Sequence, residues 1–130
     1  MDRSRRIEAL TLEFAKLYGG PPTDWFRAPG RVDLMGSHTD YNDGFVATMT
    51  VDRDTWITIR PRTDRRVRIA TLNLPGSADF SLETIEHDPR VPWTDYVRGA
   101  AQVLTGDGVR VQGFDGLLHS TVPFGSGLSS

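Results

Sequence analysis

The sequence contains no cysteine, and this absence removes two classes of structure at once. Without thiols there is neither a disulfide framework nor a thiolate metal site, and the composition suits a reducing compartment. No stretch approaches the length of a transmembrane helix, and the charged start, MDRSRRIEAL, lacks the apolar core of a signal peptide. We therefore expect a cytoplasmic protein.

An excess of either charge is also missing. The sequence has 15 Lys and Arg residues against 17 Asp and Glu residues, for a formal net charge of -2. This balance predicts neither a basic nucleic-acid surface nor an acidic tail. Internal repeats and low-complexity segments are absent from the sequence as well, and 130 residues predict a single domain.

Two segments have the periodicity of amphipathic helices. From Ser4 to Tyr18, apolar residues recur at steps of three and four, and the following glycines and prolines end the helix. From Pro92 to Leu104, aromatic and aliphatic side chains form a second stripe, and proline is tolerated at a first helical position. We expect one helix in each segment.

Strand patterns occupy most of the remaining chain. Residues 24–45 predict a strand, a loop and a second strand, because turn-forming residues interrupt them. Residues 45–73 alternate apolar and polar side chains, which predicts a meander of antiparallel strands with turns at 52–54 and 63–64. Further strands are expected in the segment ADFSLETI and over 114–121. The sequence therefore predicts an α+β domain with two helices and five or six strands.

Five arginines lie between Arg60 and Arg68. As a functional feature they would form a patch for phosphate or nucleic acid. As a structural feature they occupy the solvent side of a hairpin whose inward face is Val67 and Ile69. We favour the structural interpretation, because alternation with a period of two already accounts for the arginines.

The last nine residues, VPFGSGLSS, have the composition of a phosphate-binding turn. Glycines let the main chain approach a phosphate closely, so the backbone N–H groups and serine hydroxyls can bind its oxygens. The spacing is not that of a Walker A motif, since no lysine follows the second glycine, nor that of the dinucleotide fingerprint. Taken alone, a Gly/Ser-rich end more often indicates a flexible tail.

A second chemical motif, APGRVDLMGSHTDYNDG, spans residues 28–44 and places polar side chains among tight turns. Sugar hydroxyls need donors and acceptors at fixed distances. Asp40 can accept from two hydroxyls, His38 can give or accept one bond, and Arg31 can stabilise transferring negative charge. The alternative is a surface loop in which Asp40 and Asp43 cap turns and His38 is solvated.

Together the two motifs resemble the galactokinase branch of the GHMP small-molecule kinases. The sugar signature of that family is Gly-Arg-Val-Asn-Leu-Ile-Gly-Glu-His-Thr-Asp-Tyr-Asn, and the chain has GRVDLMGSHTDYN. The family's phosphate loop, Pro-X-Gly-X-Gly-Leu-Ser-Ser-Ser, is matched by PFGSGLSS, and VPWTDYVRGA resembles its Trp-X-X-Tyr-Val helix. The resemblance extends along the chain from Trp25 onward, and two long motifs in the right order are a strong signal.

The resemblance implies a ribosomal protein S5 domain 2-like fold, with a mixed or antiparallel sheet and helices on one face. It implies phosphorylation of the anomeric hydroxyl of galactose or a related sugar, with ATP and Mg²⁺ as cofactors. The implied partners are small molecules, not nucleic acid or a membrane. Arg31 is the implied catalytic residue, and Ser37, His38 and Asp40 are implied to bind sugar together with it. Implied ATP-binding residues are Gly125, Ser126, Gly127, Leu128, Ser129, Ser130 and Trp93. No metal ligand is expected within the chain.

In the family, the phosphate loop continues into a helix, a catalytic aspartate and a second domain. We therefore expect residues 1–130 to be a partial N-terminal domain, with the sugar signature at 28–44 and the start of the phosphate loop at 123–130. This part alone is expected to be inactive and to self-associate through uncovered strand surface. Trp93 lies near the adenine by resemblance, although an aromatic residue on an amphipathic helix is more often a core anchor.

Three departures from the family pattern concern the substrate. Ser37 replaces Glu, Asp33 replaces Asn and Met35 replaces Ile, the last being a swap of similar volume. Serine is shorter and neutral, so it cannot make the charge-assisted bond of the glutamate. Asp33 with Met35 also resembles the arabinokinase and glucuronokinase relatives, so galactose, arabinose and glucuronate all remain open as substrates.

Two functions of other classes remain beside the kinase. The first is a non-catalytic sensor that binds sugar and ATP, and the second is an RNA-binding module of the same fold. The slightly negative charge balance argues against the RNA-binding module.

Overall fold

The computed structural model describes residues 2–128. Its helices and strands, in chain order, are α1 (Arg3–Tyr18), β1 (Asp24–Met35), β2 (Ala47–Pro61), β3 (Arg66–Thr71), β4 (Ser77–Ser81), α2 (Asp95–Gly106) and β5 (Phe114–Ser120). The chain divides into two compact units. Unit 1 consists of Met1–Trp25 and Ile57–Leu118, and unit 2 consists of Phe26–Trp56 and His119–Ser130.

The five strands form one sheet in the order β1-β2-β5-β3-β4. Strands β3 and β4 are antiparallel, whereas β3 and β5 are parallel, so the sheet is mixed. The predicted α+β class is thereby confirmed. The predicted meander over residues 45–73 is wrong in its pairing, because β5 lies between β2 and β3. Alternation in a sequence identifies strands, but it carries no information about which strands are neighbours.

The first helix agrees with its sequence prediction to within one residue. It ends at Tyr18, and Gly19 follows in the left-handed conformation with φ of 71°. The Gly19 N–H donates to the carbonyl of Ala15 at 2.9 Å, which satisfies one of the carbonyls at the helix end. Leu10 and Phe14 are fully buried and form the apolar face of α1. The second helix is preceded by a short 3-10 turn, Pro92–Thr94, with proline where it was expected.

One face of the sheet carries the aliphatic core of unit 1. Val67 and Ile69 of β3 are fully buried and pair with Phe80 and Ala78 of β4. Ala101 of α2 belongs to the same buried cluster. Helix α2 therefore covers this face of the sheet.

The opposite face is covered by α1. Arg68 alternates with Val67 and Ile69 along β3, so it points to the other side of the sheet. Its guanidinium lies 5.1 Å from the ring centroid of Tyr18, the last residue of α1. The helices thus lie on two faces, which differs from the expected arrangement on one face. The physical reason is that β3 and β5 bury side chains on both sides, and each side needs a cover.

Asp115 of β5 is a buried carboxylate that forms ion pairs with three of the five arginines between Arg60 and Arg68. Arg68 Nε, Arg62 Nη1 and Arg60 Nη2 lie 2.7, 2.9 and 3.1 Å from its oxygens. Burial by itself would raise the pKa of Asp115, but the hydrogen bonds from these arginines outweigh burial and hold the pKa below its usual value. The structural interpretation of the arginines therefore holds, although these three are ion-paired beneath α1 and do not simply face solvent.

The hydroxyl of Tyr18 donates to the carbonyl of Gly116 at 2.9 Å and thereby links α1 to β5. Burial, and secondarily the negative charge of Asp115, raises the pKa of Tyr18 to about 12 from an ordinary value of 10.0. A raised folded-state pKa gives stability that is present below pH 10.0 and is lost as the pH rises towards 12.

Replacing Tyr18 with phenylalanine is expected to remove this alkaline loss of stability, since phenylalanine does not ionise. Urea unfolding at several pH values around the alkaline window would measure the free energy of unfolding of both proteins. Tyr96→Phe is the matched control, because Tyr96 is 87% exposed. An alkaline decline that is the same in Tyr18→Phe and in the unmodified protein would contradict the assignment.

Within residues 2–128, neither helix has the length and hydropathy that crossing a bilayer requires. Several large apolar side chains of unit 2 are exposed: Phe26, Leu34, Met35, Phe45, Met49 and Phe124. Self-association through such a surface stays a prediction.

Candidate functional site

Unit 2 contains both chemical motifs. The sugar signature at 28–44 lies in Phe26–Trp56, and the start of the phosphate loop lies in His119–Ser130. The two motifs are far apart in the sequence but belong to one compact body. A site that uses both a sugar and a nucleotide is compatible with this arrangement.

The signature loop between β1 and β2 is closed at its base by two glycines. Gly36 has φ of +90°, and a Cβ added there would lie 2.5 Å from the carbonyl oxygen of Phe45. A Cβ on Gly44 would lie 2.8 Å from the carbonyl oxygen of Thr39. The chain segments are therefore too close for any residue other than glycine at these two positions.

Hydrogen bonds inside the loop hold it in one conformation. The Thr39 N–H donates to Gly36 O at 3.0 Å, and the Gly44 N–H donates to Thr39 O at 2.8 Å. The side-chain amide of Asn42 donates to the carbonyl of His38 at 2.9 Å. These bonds come from residues of the motif itself, so the motif stabilises the loop as well as supplying polar groups.

The predicted sugar-binding side chains lie on this loop and are exposed. His38 Nδ1 lies 2.8 Å from the hydroxyl of Tyr41, which orients the imidazole ring. Asp40 Oδ1 accepts the Tyr41 N–H at 2.8 Å, so Asp40 also stabilises the turn as the structural alternative expected. Ser37 is exposed at the same end of the loop.

Arg31, the predicted catalytic residue, lies on β1 with its side chain about half exposed. Its Nε lies 3.1 Å from Asp33 Oδ1, two residues along the same strand. Asp33 is one of the three departures from the family pattern, and an aspartate in place of asparagine turns a neutral neighbour into an ion-pair partner.

The phosphate loop begins at Pro123, three residues after the end of β5, and is exposed from Pro123 to Gly127. Gly125 and Gly127 have φ of 67° and 76°, values that glycine adopts without strain. The hydroxyl of Ser126 donates to the carbonyl of Pro123 at 2.8 Å and tightens the turn. Exposed backbone with two left-handed glycines fits a bound phosphate.

Two predicted ATP-binding residues, Ser129 and Ser130, lie outside the described residues. Trp93 lies in the 3-10 turn before α2, half-buried and packed against the aliphatic core of unit 1. This position agrees with a core anchor, and its role near the adenine stays a prediction. Within the described part of the chain, no group of three or more His, Asp or Glu side chains could hold a metal ion. The use of Mg²⁺ stays a prediction.

A cavity of about 310 Å³ in unit 1 is lined partly by Arg62, Asp64, Arg65 and Arg110. Arg62 is already paired with Asp64 at 2.6 Å and with Asp115 at 2.9 Å. Arg62 is thus ion-paired with two carboxylates within the protein.

Asp54 is a polar residue whose position sequence reasoning missed. The segment 52–54 was predicted to be a turn, but it lies inside β2. Asp54 is buried, and its carboxylate accepts hydrogen bonds from Arg27 and from Trp56 Nε1, the latter at 3.0 Å. The signal that could have found it is the alternation of β2, which continues through Asp54, Trp56 and Thr58.

Comparisons with known proteins match the segment that contains the sugar signature. Residues 12–61 match the family described as the galactokinase galactose-binding signature. The galactokinase of Chloroflexus aurantiacus is 44% identical over 124 residues, which make up 95% of this chain and 32% of that protein. The galactokinase of Chloroflexus aggregans is 47% identical over the same length. The chain thus spans about a third of the length of these curated relatives.

Among solved structures, Lactococcus lactis galactokinase complexed with galactose superposes with a TM-score of 0.83 at 35% identity. The match covers 96% of this chain and 33% of that one. The mevalonate kinase of Methanococcus jannaschii superposes with a TM-score of 0.62 at 20% identity, which shows a common fold alone.

The fold that these kinases share identifies the class: the chain has the fold of a GHMP small-molecule kinase. The signature match and the identity to galactokinases narrow the assignment. The chain matches about a third of the length of proteins from the galactokinase-like branch of that family.

Proposed function

We propose that this chain supplies the sugar-binding loop and the start of the phosphate loop of an ATP-dependent sugar kinase acting on an anomeric hydroxyl. The observation that carries the proposal is that both motifs lie in one compact unit. Since the chain spans about a third of its relatives' length, the activity is assigned to a protein of their length that includes this sequence. Residues 1–130 alone are proposed to be inactive.

Each motif has a distinct task in this proposal. His38 and Asp40 bind sugar hydroxyls from a loop that internal hydrogen bonds hold in place. Arg31 stabilises the negative charge that develops during transfer. The backbone from Gly125 to Leu128 cradles the phosphates of ATP, and ATP supplies the transferred phosphoryl group. Such reactions depend mainly on positioning and on charge neutralisation.

Ser37 is proposed to shift the sugar preference away from galactose, towards a pentose or a uronic acid. It is exposed on the loop and replaces the glutamate of the family, so one charged contact to a sugar hydroxyl is missing. A site lacking a carboxylate at this point also presents less repulsion to a negatively charged sugar.

The expected result is that Ser37→Glu raises the ratio of kcat/KM for galactose to that for glucuronate by tenfold or more, on the order of 1.4 kcal/mol. The measurement is ADP formation by the protein of full length with galactose, arabinose and glucuronate. Met35→Ile is the matched control, because it also restores a family residue but adds no polar group. An unmodified enzyme that already prefers galactose, with no change in Ser37→Glu, would remove the proposal about Ser37. Binding of sugar and ATP without ADP formation would instead identify a non-catalytic sensor.

A further inference from the structure

A buried carboxylate on β2 connects the strands that lead into the two motifs. Asp54 is 7% exposed. It accepts a hydrogen bond from Arg27 Nε on β1, and it lies 3.3 Å from the hydroxyl of Thr121, the residue after β5. A third donor, Trp56 Nε1, reaches the same carboxylate at 3.0 Å. One side chain therefore contacts groups from three strand segments of unit 2.

The backbone reinforces the connection between β2 and the end of β5. The Thr121 N–H donates to the carbonyl of Asp54 at 2.8 Å, and the Asp54 N–H donates to the hydroxyl of Thr121 at 3.0 Å. Next to this pair, the hydroxyls of Thr55 and Ser120 lie 2.8 Å apart. The hydroxyl of Thr121 thus accepts one hydrogen bond from β2 and lies within reach of two acceptors on Asp54.

Arg27 and Thr121, the two partners of Asp54 from other strands, lie close in sequence to the two motifs. Arg27 is the residue immediately before the sugar signature at 28–44. Thr121 is the residue immediately before Val122, which is 4% exposed and precedes the phosphate loop. Asp54 therefore contacts the last residue ahead of the sugar signature and the residue two positions ahead of the phosphate loop.

A buried carboxylate is stable only where donors satisfy it, and charge-assisted bonds are the stronger kind. The Asp54 carboxylate is buried among donors from Arg27, Thr121 and Trp56. If Arg27 and Thr121 moved apart, the buried carboxylate would lose at least one of these donors. The ion pair is therefore a positional constraint, even though the Arg27 side chain is 63% exposed.

We propose that Asp54 is a positioning residue that sets the spacing between the sugar-binding loop and the phosphate loop. This proposal rests on the proposed function. Phosphoryl transfer requires the reacting atoms to be aligned, and a displacement of about 1 Å can cost about a hundredfold in rate. Asp54 acts through Arg27 and Thr121 and touches neither substrate.

The kinetic test compares Asp54→Asn with Asp52→Asn in the protein of full length. Asp52 lies two residues away on β2 with its side chain 93% exposed, so its substitution changes the same charge without the buried contacts. We expect kcat to fall at least tenfold in Asp54→Asn while both KM values change less than threefold, and no change in Asp52→Asn. Thr121→Val is expected to behave like Asp54→Asn, and Thr121→Ser, which keeps the hydroxyl, is expected to restore kcat.

A second measurement needs no activity. Hydrogen exchange in residues 26–31 is expected to speed up at least fivefold in Thr121→Val, and exchange in residues 119–124 is expected to speed up similarly in Arg27→Ala. Reciprocal changes in an inactive protein would support the positioning role while the kinase proposal fails. Changes confined to the neighbourhood of each substitution, or equal effects of Asp52→Asn and Asp54→Asn, would overturn the proposal.

Discussion

Replacing Asp115 with asparagine is expected to destabilise the protein by about 3 to 5 kcal/mol, the usual cost of breaking a buried ion pair. Asp115 is 2% exposed and lies within 3.1 Å of Arg60, Arg62 and Arg68. An asparagine side chain keeps one acceptor oxygen but carries no charge. The three guanidinium groups would therefore lose the anion that they share at the buried position 115. Denaturant unfolding of both proteins measures the difference in the free energy of unfolding.

Asp79→Asn is the matched control for this experiment. Asp79 pairs with Arg66 at 2.6 Å, but both side chains are about half exposed. Exposed pairs contribute at most about 1 kcal/mol. If the two variants were destabilised equally, the buried cluster would not be the source of the stability.

The effect of Asp115→Asn is also expected to depend on pH. The pKa of Asp115 lies below its ordinary value of 3.8, because the hydrogen bonds from arginines outweigh the effect of burial. A lowered folded-state pKa gives stability that is present above 3.8 and is lost as the pH falls below it. The difference between the unmodified protein and the variant should therefore shrink in acid, and a constant difference would contradict the assignment.

Replacing Arg31 with alanine is expected to lower kcat by about a thousandfold, the lower end of what one arginine supplies in phosphoryl transfer. The side chain is about half exposed on β1 and is held by Asp33 at 3.1 Å. Arg31 lies on the strand that leads into the loop proposed to bind the sugar. Steady-state ADP formation with the protein of full length measures the loss.

Arg53→Ala serves as the control for Arg31, since Arg53 is an exposed arginine of unit 2 paired with Asp52 at 3.6 Å. It is expected to leave kcat unchanged. Arg31→Lys keeps the charge but loses the planar guanidinium, so an intermediate kcat is expected. A full kcat in Arg31→Ala would remove Arg31 from the proposed machinery.

Secondary structure was largely predictable from local pattern. Both helices lie where the apolar periodicity placed them, because an amphipathic stripe is a property of neighbouring residues. The position of β5 between β2 and β3 was not predictable, since strand pairing joins residues distant in sequence. The parallel register of Val67 with Phe114 illustrates this, as no local signal relates the two residues.

Alternation also failed to show what the arginines contact. It correctly placed Arg60, Arg62 and Arg68 opposite the aliphatic core, where solvent was expected. The structure instead places Asp115 among them. A charged residue that alternates with core residues can face solvent or can be covered by a helix. For these arginines, the packing of α1 determines which of the two environments they have.

Asp54 shows the same limit at the candidate site. An aspartate two positions from another aspartate is typical of a turn, but tertiary contacts with Arg27 and Thr121 stabilise it within β2. The turn propensity of residues 52–54 was overridden, because three donors compensate for burial of the Asp54 carboxylate.

The candidate residues Arg31, His38 and Asp40 were proposed without coordinates, because residue type and spacing within 28–44 are local properties of the sequence. Their role in binding and catalysis stays a prediction. Their setting was decided only in three dimensions: the bond between His38 and Tyr41, the pair of Arg31 with Asp33, and the presence of both motifs in one unit. Burial and long-range pairing depend on which distant segments meet, and a linear pattern does not encode that meeting.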